Sequence, residues 1–168
     1  TSVSATLTGL ERPEVLDAVA VTPNFFAMLG VQPQEGRGFV DGDGVPDGPV
    51  PVILSHAAWQ RMSGGADMLG RAISLNGSPS EVVGIMPPSL AAPRPDIDLW
   101  FPSQLANPNS HRQTRFLNVM GRLAEGVSIA TAQDEMNAVH RQLAVEHPEA
   151  NEGWTITLVP AKEQVIGD

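Results

Sequence analysis

The sequence predicts an α+β fold in which many short strands are interleaved with a few helices. Its last third reads strand, long helix, strand, the order of a split βαβ unit. Three observations lead there. Glycine and proline are both frequent, 16 and 15 of 168 residues, which favours short elements joined by turns over a bundle of long helices. Several stretches alternate polar and apolar residues at a period of two. One stretch near the C-terminus repeats instead at three-four spacing, the period of an amphipathic helix.

Residues 1–8, TSVSATLT, place Val3, Ala5 and Leu7 on one face of a half-buried strand. Residues 9–14 with Pro13 read as a turn, and VLDAVAV (15–21) as a second strand. Thr22-Pro23 then suits the start of a short helix, since Thr caps well and Pro is favoured at the first helical position. Phe25, Phe26, Met28 and Leu29 supply its apolar face, and Gly30 can take the left-handed stop.

Residues 32–51 are rich in Gly, Pro and Asp and are expected to be the seam between two lobes. A strand over 50–54 follows, then a short helix capped by Ser55 and carrying Ala57, Ala58, Trp59 and Met62. Gly64-Gly65 ends it, and Asp67 to Gly70 reads as another brief helical turn. Residues 71–75 and 81–86 alternate as two strands around Asn76-Gly77, a pair that favours positive φ in a tight hairpin. Ile97 to Phe101 is a short strand after a Pro/Ala-rich loop.

RFLNVMGRL (115–123) is expected to be a strand. Ser128 caps a helix over 129–147, with Ile129, Ala132, Met136, Val139 and Leu143 in one stripe. Val127 can staple its start and Pro148 stop its end. WTITLV (154–159) completes the set as a final strand.

The length suits one ordinary domain or two small lobes, and 42% apolar residues suffice for a core. The formal charge is −9, and the ten basic residues, nine Arg and Lys162, do not cluster. Phosphate backbones require a basic stripe, so nucleic acid is excluded as an expected partner, and an anionic membrane surface is disfavoured. With no cysteine there is no disulfide, thiolate catalysis or Cys-based zinc site. No apolar run approaches the ~20 residues that span a bilayer, and Thr1 opens no signal peptide. The expectation is a cytosolic protein, or a segment whose targeting and membrane parts lie outside the sequence.

Candidate chemistry is sparse. Asp41, Asp43 and Asp47 stand at positions one, three and seven of a calcium-type loop. Val45 and Val52 occupy positions five and twelve, where ligands are required, so a solvated turn is the better reading. Asp96 and Asp98 can point to one face of a strand edge, with no His or further acid nearby in sequence. His140 and His147, two helical turns apart, are too far separated for one metal ion, and His56 and His111 stand alone. The pairs Gly36-Arg37, Gly70-Arg71 and Gly121-Arg122 read as exposed arginines beside backbone kinks. No nucleophile, phosphate-loop or zinc motif is present. The expected catalytic, cofactor and metal residues are therefore none, the expected cofactor is none, and the chain is not expected to be an enzyme.

Four segments, in order, resemble a known family: VTPNFFAMLGVQPQEGRGF, VPVILSHAAWQRMSGGADMLGRAISLNGSPSEVVGIMPP, DLWFP and RFLNVMGRLAEGVSIATAQDEM. Together they are similar to the MacB-like periplasmic core domain of MacB-like and FtsX-like ABC transporter permeases, over nearly all of the chain from Val19 onward. The resemblance implies a domain between the first two transmembrane helices, on the extracytoplasmic side of the bacterial inner membrane. It implies a porter-like βαβ part made of 1–39 and 112–168, lacking an N-terminal portion, and an inserted, mostly β lobe over 40–111. It implies a non-catalytic role in mechanotransmission, export or contact with a periplasmic partner protein. ATP hydrolysis then belongs to a cognate ATP-binding subunit or domain, and the membrane-embedded parent is a dimer, the isolated domain a monomer. Two other readings stay open at the level of sequence. One is a stand-alone periplasmic module binding a peptide or lipid between lobes. The other is a hydrolase using Asp41, Asp43, Asp96 or Asp98 with a histidine.

Overall fold

The computed structural model describes residues 2–8, 13–43, 48–90, 96–103 and 117–161. The chain divides into two units, 1–106 and 107–168.

Seven strands build the first unit: β1 (Ser2–Thr8), β2 (Glu14–Val21), β3 (Glu35–Gly36), β4 (Val50–Leu54), β5 (Ala72–Leu75), β6 (Ser78–Ile85) and β7 (Leu99–Pro102). Their order is β3-β6-β4-β7-β2-β1-β5, and β5 pairs back onto β6. Six of the strands therefore close into a barrel, which leaves them no free sheet edge. β3 continues the edge of β6 beyond β5, pairing Glu35 with Ile85 and Gly36 with Gly84. Two neighbours run parallel, β2 with β7 and β4 with β6, and the remaining pairs are antiparallel. A register shift between Val52 and Ile53 bends β4 where it meets β6.

All six barrel strands send side chains into one buried cluster, which includes Leu7, Leu16, Leu54, Ile73, Val82 and Leu99. A second cluster, with Val19, Val21, Ile53 and Trp100, lies against α1 (Phe25–Leu29) through Phe26 and against Phe39. Alternate residues of β2, β4 and β7 thus serve different cores, so these strands are buried on both faces. Burial of each large apolar side chain here contributes about 1.5–3 kcal/mol.

The expected hairpin is present. Asn76 and Gly77 form a two-residue turn with φ of 52° and 82°, and Pro79 is accommodated in β6 opposite Ser74. The backbone of β3 approaches β6 so closely that a Cβ at Gly36, where φ is +75°, would lie 2.2 Å from the Val83 carbonyl oxygen.

α2 (His56–Ser63) begins as expected, with Ser55 Oγ accepting the Ala58 N–H at 3.1 Å and Gly64 closing it in the left-handed region. α1 begins later than expected. The Thr22 hydroxyl donates to Asn24 Oδ1 at 2.7 Å instead of capping a helix, and the helix starts at Phe25. Asp67 to Gly70 is not helical. Asp67 Oδ1 accepts the Leu69 N–H in a local turn that buries Met68.

The expected separation of 1–39 from 40–111 is not the division the strands make. β2 pairs with β7 and β1 with β5, so strands on both sides of residue 39 share one barrel. The seam expected over 32–51 contains β3 and Phe39, both packed into that unit.

In the second unit, α3 (Ile129–Glu146) is capped by Ser128 Oγ, which accepts the Thr131 N–H at 3.1 Å, and α4 (Pro148–Asn151) follows directly. The flanking segments expected as strands form no ladder among the described residues, neither 117–124 nor 154–160. Strand propensity reflects packing against neighbouring strands, and among the described residues neither segment has one. Residues 115 and 116 of the first segment lie outside the described residues.

Candidate functional site

Two of the acidic residues singled out from sequence, Asp98 and Asp43, are held in structural pairs. Arg61 on α2 reaches two carboxylates, Glu14 Oε1 at 2.6 Å and Asp98 Oδ1 at 2.8 Å. The other oxygen of Asp98 accepts the Asp17 N–H at 3.0 Å. Burial works to lower the Arg61 pKa, but the bonds to Asp98 and Glu14 outweigh it and raise it. This fork ties α2 to β2 and to the entry of β7.

Arg37 and Asp43 form a bidentate pair at 2.7 and 3.1 Å, and Asp43 also accepts the Val40 N–H at 2.9 Å. Burial works to raise the Asp43 pKa. The Arg37 hydrogen bond, the Val40 N–H and the guanidinium charge overcome it and hold the carboxyl below its ordinary range. Asp43 is thus the anchor of a surface turn, while Asp47 lies outside the described residues. Among the described residues no group of three or more His, Asp or Glu is arranged to hold a metal ion.

The histidines are dispersed. The His56 ring meets Trp59 edge-on at 5.4 Å, His140 Nε2 lies 2.6 Å from the Trp154 carbonyl oxygen, and the His147 N–H donates to Leu143 at the end of α3. His111 lies outside the described residues. Of the three arginines beside glycine, Arg37 is in its ion pair and Arg71 exchanges backbone hydrogen bonds with Met68 and Val82. Trp59 and Met62 pack the barrel core, as expected, with the Trp59 indole donating to the Ala66 carbonyl at 2.9 Å.

What the geometry does offer is surface. Twelve large apolar side chains are well exposed among the described residues, and nine lie between 117 and 159. Val119 is 89% exposed and Val145 83%. On α3 only Ala132 of the predicted stripe is buried, while Ile129 and Val139 are exposed. The three-four spacing identified the stripe, but spacing cannot tell whether a stripe is covered.

The first unit is a closed barrel with Arg37, Asp43, Arg61, Glu14 and Asp98 in ion pairs, and the second carries most of the exposed apolar side chains described. Residues 1–139 match the family model of the MacB-like periplasmic core domain, and the chain belongs to that family, the periplasmic domains of MacB-like ABC transporter permeases. Its fold is similar to the periplasmic region of MacB from Actinobacillus actinomycetemcomitans, at TM-score 0.61 and 17% identity over 90% of this chain and 66% of that one. It is similar to a domain of a putative permease protein from Porphyromonas gingivalis, at TM-score 0.57 and 17% identity over 83% and 65%. It is also similar to the extracellular domain of the noncanonic ABC-type transporter YknZ from Gram-positive bacteria, at TM-score 0.50 and 22% identity over 61% and 51%. The chain therefore spans between half and two thirds of the length of these solved domains. No curated protein matches. Among the described residues no helix is long and apolar enough to cross a membrane.

Proposed function

We propose that the chain acts without catalysis on the extracytoplasmic face of an ABC transporter permease, passing motion of the membrane helices to a periplasmic partner protein. The match of residues 1–139 to the periplasmic core domain family carries this reading. The closed barrel and the Arg61 fork support it, because a lever must move as a rigid body. The second unit, within the porter-like part, supplies the apolar contact surface. The energy comes from a cognate ATP-binding subunit, and the membrane-embedded parent works as a dimer.

The 168 residues contain no cysteine, so in a full-length permease with any other cysteines replaced an introduced thiol reports its own location. Gln60→Cys, at an exposed position on α2, is placed in the full-length permease in intact cells. Labelling by a membrane-impermeant maleimide without permeabilisation is expected. Labelling only after permeabilisation would place the segment on the cytoplasmic side and end this reading.

A further inference from the structure

Asn76 is the only asparagine of the chain that a glycine follows. Asparagine is a chemically labile residue, and a following glycine has no side chain to shield its own amide nitrogen from the carboxamide. Asn76 and Gly77 are both exposed, and a Cβ at Gly77 would meet no atom within 4 Å, so water has open access to the turn. The Gly77 N–H donates to no group among the described residues. The nitrogen that would attack the Asn76 side chain is therefore not engaged elsewhere.

The group it would attack is engaged. Asn76 Oδ1 accepts the Thr6 N–H at 2.8 Å, and the Asn76 N–H donates to the Thr6 carbonyl at 2.9 Å. These two bonds prolong the seam between β1 and β5, whose registered pairs are Leu7 with Leu75 and Thr8 with Ser74. Ring closure turns the carboxamide onto the Gly77 nitrogen, and a carboxamide pinned to Thr6 is not free to turn. The same contact that helps close the barrel thus restrains the reaction.

We propose that Asn76 is a site of spontaneous deamidation, gated by opening of the β1–β5 seam, and that its isoaspartyl product holds the seam open. The Gly77 nitrogen gives its proton to hydroxide and bonds to Asn76 Cγ. The Cγ–Nδ2 bond breaks, and Nδ2 leaves as ammonia with a proton from water, which closes a succinimide ring. Water then opens the ring at either carbonyl, so the net change is one water consumed and one ammonia released, with no oxidation or reduction. Opening at Cγ gives aspartate, whose carboxylate can still accept the Thr6 N–H. Opening at the Asn76 main-chain carbonyl gives isoaspartate, in which the backbone runs through Cβ and Cγ. The turn is then one carbon longer, and the carbonyl that held Thr6 has become part of the main chain. The inference does not rest on the transporter reading.

Incubation of the 168-residue chain at mildly alkaline pH, folded and in urea, followed by peptide mapping, tests it. Chromatography separates the asparaginyl, aspartyl and isoaspartyl peptides. The folded chain should convert at Asn76 about ten- to a hundredfold more slowly than the unfolded chain. Thr6→Pro removes the gating N–H, which bonds Asn76 and not β2, so it should convert about threefold or more faster than wild type while folded. In the purified isoaspartyl form, the amides of Thr6 and residue 76 should exchange about tenfold or more faster than in the unmodified chain. A folded chain with no conversion over that span overturns the site. Equal rates in the folded and unfolded chains overturn the gate, as does a folded T6P that converts no faster than wild type. If T6P does not fold, urea below the unfolding transition takes its place. Conversion should then rise together with exchange of the Thr6 amide, and conversion that stays flat overturns the gate. Unchanged exchange in the isoaspartyl form overturns the opening of the seam.

Discussion

Arg61 and Asp98 are joined at 2.8 Å, and the same Asp98 carboxylate holds the Asp17 N–H with its second oxygen. One side chain thus fixes a helix and a strand together at the entry of β7. Asp98→Ala leaves Arg61 with Glu14 alone and removes the acceptor of the Asp17 N–H. It should cost about 1–2 kcal/mol in urea unfolding. Arg61→Ala should cost about 1 kcal/mol or less, because the guanidinium is 45% exposed and solvent screens its pairs.

Asn76 joins the hairpin turn to β1. Its Oδ1 accepts the Thr6 N–H at 2.8 Å and its own N–H donates to the Thr6 carbonyl at 2.9 Å, at a φ of 52°. Asn76→Ala loses the side-chain bond and adds backbone strain, and should cost about 1–3 kcal/mol. Asn76→Gly keeps the positive φ and should cost clearly less. Thermal unfolding of the two variants side by side distinguishes conformational from hydrogen-bond effects.

Asp43 gives a pH signature. Its pKa is depressed in the folded state, so its pair with Arg37 contributes fully above the unfolded value of about 3.9. That contribution disappears as the pH falls through the lower folded value. Asp43→Asn should be destabilised near neutral pH by about 0.5–1 kcal/mol, a small figure because Arg37 is 47% exposed. The difference from wild type should narrow below about pH 4. Urea midpoints for both proteins from pH 2 to pH 7 measure it.

Much of the local structure was legible in the residues. Ser55 and Ser128 cap the helices that their positions announced, Gly30 and Gly64 end theirs, and Asn76-Gly77 makes the expected turn. Closure of the barrel was not legible. It depends on Leu7 meeting Leu75 and on Ala18 meeting Leu99, pairings across long separations that leave no periodic mark in sequence. For the same reason 1–39 looked separable from 40–111. WTITLV read as a strand because β-branched and aromatic residues fit a pleated sheet, yet among the described residues no strand pairs with it and its backbone bonds the Gln133 side chain. The pairing of Asp98 with Arg61, which gives that acid a structural partner, was not legible, since the two lie 37 residues apart.

The measurement closest to the central claim compares ATP hydrolysis with transport or partner-dependent output in the reconstituted permease and its ATP-binding subunit. The variant is the double change Ile129→Asp and Val139→Asp, at two exposed positions of the apolar stripe of α3 outside the barrel. A mechanical, non-catalytic domain predicts basal ATP hydrolysis within about twofold of wild type and loss of most of the coupled output. Undiminished output with that face made acidic would contradict the account.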